Sequence, residues 1–192
     1  TSTNFIGTVH SFALTQIIMP YYRCVECNIP QDFKVAGSKE CRIAIEDAYK
    51  KIYQDSGDPH KQWEFAKEKR NRELDRTLQS WKGHNKELAE FIEEYEQELR
   101  KKELIDFDDM PLIAFRMIKE NPWIRKALEA RFPILFVDEY QDLGHGLHEL
   151  VQLLCFDGNV RLFAVGDADQ SIYGFTGANP ELLQSLTQRQ DV

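Results

Sequence analysis

Ile134-Leu-Phe-Val-Asp138-Glu139-Tyr-Gln141-Asp142 is the stretch on which the fold turns. Four apolar residues end abruptly in carboxylates. The pattern returns in Leu162-Phe-Ala-Val-Gly166-Asp167-Ala-Asp169-Gln170. A short apolar run bounded by turn chemistry reads as a buried strand of a parallel sheet. In open α/β sheets, ligands bind just beyond the carboxyl ends of the strands. The two stretches therefore predict one rim carrying Asp138, Glu139, Asp167 and Gln170, suited to a phosphate and a metal.

Adjacent Asp and Glu have a specific use on such a rim. Mg²⁺ keeps several waters and takes few protein ligands, so Asp138 alone can hold it through water. Glu139 can then orient and deprotonate a water that attacks a phosphoryl group. The plainer reading is a helix N-terminus capped by acids. The second strand-plus-acid cluster weakens that reading. Two other classes stay open: a Mg²⁺-dependent nuclease or phosphatase built on the carboxylates, and a non-catalytic module that binds partners through helices.

The chain has 192 residues and a net charge of −8. That length suits one domain, or one domain with an insertion. The acidic balance argues against a broad electrostatic grip on nucleic acid, but allows a local aromatic and hydrogen-bonding grip on single strands. No apolar stretch approaches bilayer length and no signal-peptide pattern opens the chain, so it reads as cytoplasmic. Cys24, Cys27 and Cys41 resemble half of a metal site that would need a distant His60 or Cys155 to close. The bland alternative is small, semi-buried thiols.

Along the chain, Phe5–His10 reads as a short strand and Ser11 as the cap of the helix that follows, with Pro20 ending or kinking it. Residues 39–103 are charge-rich and helical. Leu74, Leu78, Trp81, Leu88, Ile92, Tyr95 and Leu99 recur at three and four spacing, a packing seam with Asn85 in its polar slot. The run Lys67–Arg76, interleaved with acids, reads as a solvated face. Asp106 or Asp108 caps a further helix, and Pro180–Leu186 is a short helix with nothing apolar left to build on. The organisation is discontinuous: an α/β portion over 1–28 and 105–192, and a helical portion over 29–104 inserted into it. Helices alternating with strands imply parallel pairing.

Together these segments resemble the UvrD/Rep/PcrA family of superfamily 1 DNA helicases. Val137-Asp-Glu-Tyr-Gln-Asp142 resembles that family's Walker B segment. Val165-Gly-Asp-Ala-Asp-Gln-Ser-Ile-Tyr-Gly-Phe-Thr-Gly-Ala178 resembles its third helicase motif, the most specific match. Gly7-Thr-Val-His-Ser-Phe12 is similar to an early single-strand-binding motif. Ile105-Asp-Phe-Asp-Asp-Met110 is similar to the segment that re-enters the first motor domain. The resemblance implies a partial RecA-like parallel-sheet motor domain with an inserted all-helical subdomain. It implies ATP and Mg²⁺ as cofactors and single-stranded DNA as partner. By residue, Asp138 would hold Mg²⁺ through water, Glu139 would activate the attacking water, and Gln170 would sense the γ-phosphate. Gln141 and Asp167 would couple the nucleotide to neighbouring motifs. Thr8, His10, Tyr173 and Phe175 would contact the strand, the two aromatics by stacking on bases.

There are departures. Phe175-Thr176 stands where the family has an aromatic-Arg pair, Leu143-Gly144 where it has Thr-Asn, and Leu147-His148 where it has Gln-Tyr. A divergent branch is the natural reading. The chain has no Gly-x-x-x-x-Gly-Lys-Thr/Ser loop to cradle phosphates, no adenine-reading motif and no second motor domain with its arginine fingers. The expectation is a piece of a larger 3′-to-5′ translocase, inactive alone. Without the phosphate-loop strand, a bared sheet edge would favour self-association.

Overall fold

A computed structural model of the chain describes residues 4–54, 57–83, 85–167 and 180–189. Gln170, Tyr173 and Phe175 lie outside the described residues.

The chain opens as helix, not strand. Helix α1 (Val9–Phe12) runs through a π-helical stretch, Ala13–Ile18, into α2 (Met19–Tyr21). The β-branched Thr8 and Val9 suit a strand, but Thr8 caps the helix. Its Oγ1 accepts the Ser11 N–H at 3.1 Å, and the Ser11 hydroxyl donates back to the Thr8 carbonyl at 2.9 Å. Two local hydrogen bonds outweigh a weak strand propensity, and the cap is Thr8 rather than Ser11. Pro20 lies inside α2. The wider π-helical turn before it eases the clash of a proline ring with the preceding turn.

Strand β1 (Lys34–Val35) pairs in parallel with β2 (Leu104–Ile105). The long connection between these neighbours is helical: α3 (Ser38–Tyr53), α4 (Pro59–Arg72), α5 (Ser80–Gly83) and α6 (Lys86–Lys101). Asp58 caps α4 by accepting the N–H groups of His60 and Lys61, with Pro59 just inside. Asn85 is no polar slot in a seam. Its Oδ1 accepts the Leu88 N–H at 3.0 Å and caps α6. These helices share one core of Ala44, Ala48, Trp81, Phe91, Ile92, Tyr95 and Leu99.

The expected seam breaks at its upstream end. Asp75 Oδ1 accepts both the Thr77 N–H and its hydroxyl, a turn that ends the helical run. Leu78 is exposed, and Leu74 joins a different core with Ile17, Ile105, Leu112 and Leu150. The second core is built on α7 (Asp109–Glu120), α8 (Pro122–Arg131) and α9 (His145–Cys155).

Strands β3 (Ile134–Val137) and β4 (Arg161–Ala164) pair in parallel, Val137 opposite Ala164. This is an α/β arrangement with parallel strands and helical crossovers, as the apolar runs predicted. The strands are not buried on both faces, however. Val137, with Leu135, Leu162 and Ala164, packs into a third core beside Tyr140, Val151, Leu182 and Leu186. The alternate residues Phe136 and Phe163 stack 4.7 Å apart on the opposite face, where Phe136 is 71% exposed. Helix α10 (Pro180–Thr187) does find apolar partners: Leu182 and Leu186 are buried against this third core.

Candidate functional site

The apolar strand β3 carries the chain out of the core and releases it at Asp138 and Glu139, both exposed. The Glu139 N–H donates to Asp138 Oδ1 at 3.0 Å, and among the described residues Asp138 Oδ2 makes no hydrogen bond. Glu139 sits at φ 50°, ψ 46°, in the left-handed region. For a residue with a β-carbon that conformation costs about 1–2 kcal/mol, and such strain collects at functional sites. It turns the backbone into a short 3₁₀ helix, Tyr140–Asp142.

The neighbouring strand closes on this turn. The Val165 N–H donates to the Val137 carbonyl at 2.8 Å, and the Tyr140 N–H donates to the Val165 carbonyl at 3.0 Å. Gln141 is buried between the two tips. Its Nε2 donates to Glu139 Oε2 at 2.6 Å, and its Oε1 accepts the Asp167 N–H at 3.0 Å. One side chain thus fixes the Glu139 carboxylate and ties it to the second acidic loop. Gly166 makes room for it: a β-carbon there would lie 2.2 Å from Gln141 Oε1. Asp138, Glu139, Gln141 and Asp167 are brought together on one rim.

Behind the rim, the Tyr140 hydroxyl lies 2.7 Å from His148 Nδ1, both buried. Burial, with His145 and Arg189 nearby, lowers the His148 pKa. Burial raises that of Tyr140. This Tyr140–His148 contact pins the turn to α9. Helix α9 in turn touches the inserted helices. Glu149 Oε2 accepts the Leu74 N–H at 3.0 Å, and a β-carbon on Gly146 would meet the Asn71 carbonyl at 2.3 Å.

Thr8 caps α1 and His10 lies on it, away from the strand tips in sequence. Val9 between them packs against both the second and the third core. His10 stacks on Phe107, ring centroids 4.0 Å apart and planes at 15°. Burial lowers the His10 pKa, with Asp108 opposing.

A buried charge cluster that no sequence pattern marks lies where the inserted helices rejoin the α/β portion. Arg70 is 1% exposed, not solvated. Its guanidinium grips Asp106 through both Nη atoms, at 2.8 and 2.9 Å, Asp109 at 2.7 Å and Glu96 at 2.9 Å. Arg100 adds a second bond to Asp109, Arg76 a bidentate pair on Glu96, and the Tyr95 hydroxyl donates to Asp106. Asp106 and Asp109 also cap α7 reciprocally: each carboxylate accepts the other's backbone N–H. Among the described residues no group of three or more His, Cys, Asp or Glu is placed to hold a metal, and the four cysteines are free. The half-motif at Cys24, Cys27 and Cys41 is therefore a set of thiols.

The sequence profile of the UvrD/REP helicase N-terminal domain matches residues 1–191. The chain belongs to that family. Among the relatives of this UvrD/REP domain, the ATP-dependent DNA helicase Rep of Buchnera aphidicola from Acyrthosiphon pisum is 31% identical over 180 residues, 92% of the chain and 27% of that protein. The ATP-dependent DNA helicase Rep of Escherichia coli is 39% identical over 94 residues, 49% of the chain and 14% of that protein. The ATP-dependent DNA helicase PcrA of Leuconostoc citreum is 38% identical over 92 residues, 48% of the chain and 12% of that protein. The UvrD/REP domain thus spans about a quarter or less of the length of these relatives.

Proposed function

We propose that the chain is the part of an ATP-dependent DNA helicase that hydrolyses ATP at the Asp138–Glu139 tip and moves along single-stranded DNA in the 3′-to-5′ sense. The observation that carries this reading is the Gln141 bridge, which holds Glu139 and the Asp167 loop on one rim. Glu139 acts as the base that orients and deprotonates the attacking water. Gln141 and Asp167 relay the state of the nucleotide between the two strand tips, and Gln170 senses the γ-phosphate. Thr8, His10, Tyr173 and Phe175 face the DNA strand. Asp138 fits a water-mediated Mg²⁺, since it is exposed and one of its oxygens makes no hydrogen bond among the described residues. That ion, when bound, neutralises charge on the phosphates.

In this reading residues 1–28 and 105–192 form the motor portion and 29–104 the inserted subdomain. The 192-residue chain alone turns over no ATP, because it has no phosphate-cradling loop. Among the described residues no helix is long and apolar enough to cross a membrane, and the protein acts in the cytoplasm. The test is Glu139→Gln in the whole protein. It lowers DNA-stimulated ATP turnover at least about a hundredfold, the scale of losing a general base, while nucleotide binding persists. Unchanged turnover would remove Glu139 from the chemistry. DNA-stimulated hydrolysis by the 192-residue chain, abolished by the same substitution, would refute its inactivity alone. We also infer that this chain self-associates through the exposed Phe136–Phe163 sheet face. A monomer by light scattering at all concentrations would count against that.

A further inference from the structure

The left-handed turn at Glu139 is strained, and its neighbours must hold it in place. On the upstream side strand β3 does so, through the Val165 N–H that donates to the Val137 carbonyl at 2.8 Å. The downstream side rests on Tyr140, the next residue, which is fully buried. The Tyr140 ring packs in the third core with Val137, Val151, Leu182 and Leu186. Apolar packing is non-directional and fixes no angle by itself. The hydroxyl supplies the direction: it lies 2.7 Å from His148 Nδ1, with the two ring planes at 87°. His148 is a firm reference point. It is buried, and its N–H donates to the Gly144 carbonyl at 3.0 Å in the first turn of α9. Helix α9 buries Leu150 and Leu154 in the second core and Val151 in the third. A buried hydroxyl without a partner costs energy of the same order as the left-handed turn. With the bond gone, relaxing the turn would relieve both penalties, and Glu139 would move with it.

We infer that His148 is a positioning residue for ATP hydrolysis, acting through the Tyr140 hydroxyl to hold the Glu139 carboxylate where the attacking water sits. The inference rests on the ATP reading above and adds to it the group that aims the base. Gln141 and His148 have separate parts. Gln141 Nε2 donates to the Glu139 carboxylate itself at 2.6 Å and so sets its direction. His148 sets where the backbone of the turn stands. The Tyr140 N–H donates to the Val165 carbonyl at 3.0 Å, and the Tyr140 carbonyl accepts the Leu143 N–H at 3.1 Å, so a shift of Tyr140 disturbs both ends of the turn. Tyr140 and His148 are both buried behind the rim. Their loss therefore lowers the rate of the chemical step rather than the binding of ATP.

The experiment measures kcat and KM for ATP in the whole protein, with single-stranded DNA saturating. The variants are Tyr140→Phe, His148→Leu, His148→Asn, and Tyr140→Phe combined with His148→Leu. Rates are divided by the concentration of sites that bind a fluorescent ATP analogue, so unfolded protein does not count. Tyr140→Phe and His148→Leu each lower kcat about tenfold, part of the roughly hundredfold that a misplacement of about 1 Å can cost, and leave KM unchanged. The double variant loses no more than either single one, because both remove the same bond. His148→Asn keeps a polar atom near the position of Nδ1 and recovers most of the rate. Full kcat per site in Tyr140→Phe, with a lowered urea midpoint, would reduce the pair to packing and overturn the inference. So would losses that multiply in the double variant, or a His148→Asn rate as low as that of His148→Leu. If His148→Leu does not fold, Tyr140→Phe decides alone, since it removes only the hydroxyl oxygen. Unchanged turnover in Glu139→Gln would sink the ATP reading and this inference with it. A collapse in Glu139→Gln beside full kcat in Tyr140→Phe would sink this inference alone.

Discussion

A β-carbon on Gly166 would lie 2.2 Å from Gln141 Oε1, 3.1 Å from the Tyr140 nitrogen and 3.3 Å from Leu183 Cδ2. The Gln141 amide has no slack, because its other end is bound to Glu139. Gly166→Ala therefore breaks the bridge between the two acidic tips or shifts one strand end. The expected cost is about 1–3 kcal/mol, typical of overpacking a tight site, read as a lower midpoint in urea unfolding of the chain. ATP turnover by the whole protein falls with it. Unchanged stability and turnover would mean that the bridge positions nothing. At this scale the sequence was a good guide: an apolar run stopping at carboxylates marked Asp138, Glu139 and Asp167. It also marked Gln141, although only through resemblance. The left-handed turn at Glu139 carried no sign in the sequence, since glutamate is not a residue that favours that conformation.

Between elements, the junction of α4, α6 and α7 rests on charge. Arg70 is enclosed by Glu96, Asp106 and Asp109, and removing one member of a buried pair costs about 3–5 kcal/mol, because a charge is left unpaired. Burial alone would raise the Asp109 pKa, but Arg70 and Arg100 outweigh it and hold the carboxyl at about 2. That is below its value in an unfolded chain. Asp109 thus contributes stability on the order of 2 kcal/mol that is fully present above about pH 4 and is lost as pH falls toward 2. Urea midpoints across that window should drop for the unaltered chain. For Asp109→Asn the curve should start lower and be flatter. A parallel pair of curves would show that the Asp109 titration is not linked to folding. The sequence could not display this cluster. Its partners lie 26, 36 and 39 positions from Arg70, and the acids interleaved with Lys67–Arg76 imitate a solvated face. At Phe5–His10 the Thr8 cap overrides the strand preference of the β-branched residues.

At the scale of the molecule, three cores among the described residues are linked in series. The inserted helices have their own core, the α7–α8–α9 core receives them through Leu74 and Glu149, and the third core lies directly under the acidic rim. The parallel pairing was legible because two apolar runs flanked a helical crossover. The bare Phe136–Phe163 face was not, because an apolar run looks the same whether one face or two are covered. The central claim is that two parallel strands present Glu139 and Asp167 to a nucleotide. It is tested most directly by a crystal structure of the whole protein with Mg²⁺ and a non-hydrolysable ATP analogue. The account predicts the γ-phosphate beside the β3–β4 rim, with Glu139 reaching it through one water and Asp138 facing the ion. A nucleotide bound elsewhere, with Glu139 still held by Gln141 and turned away from it, would contradict the account.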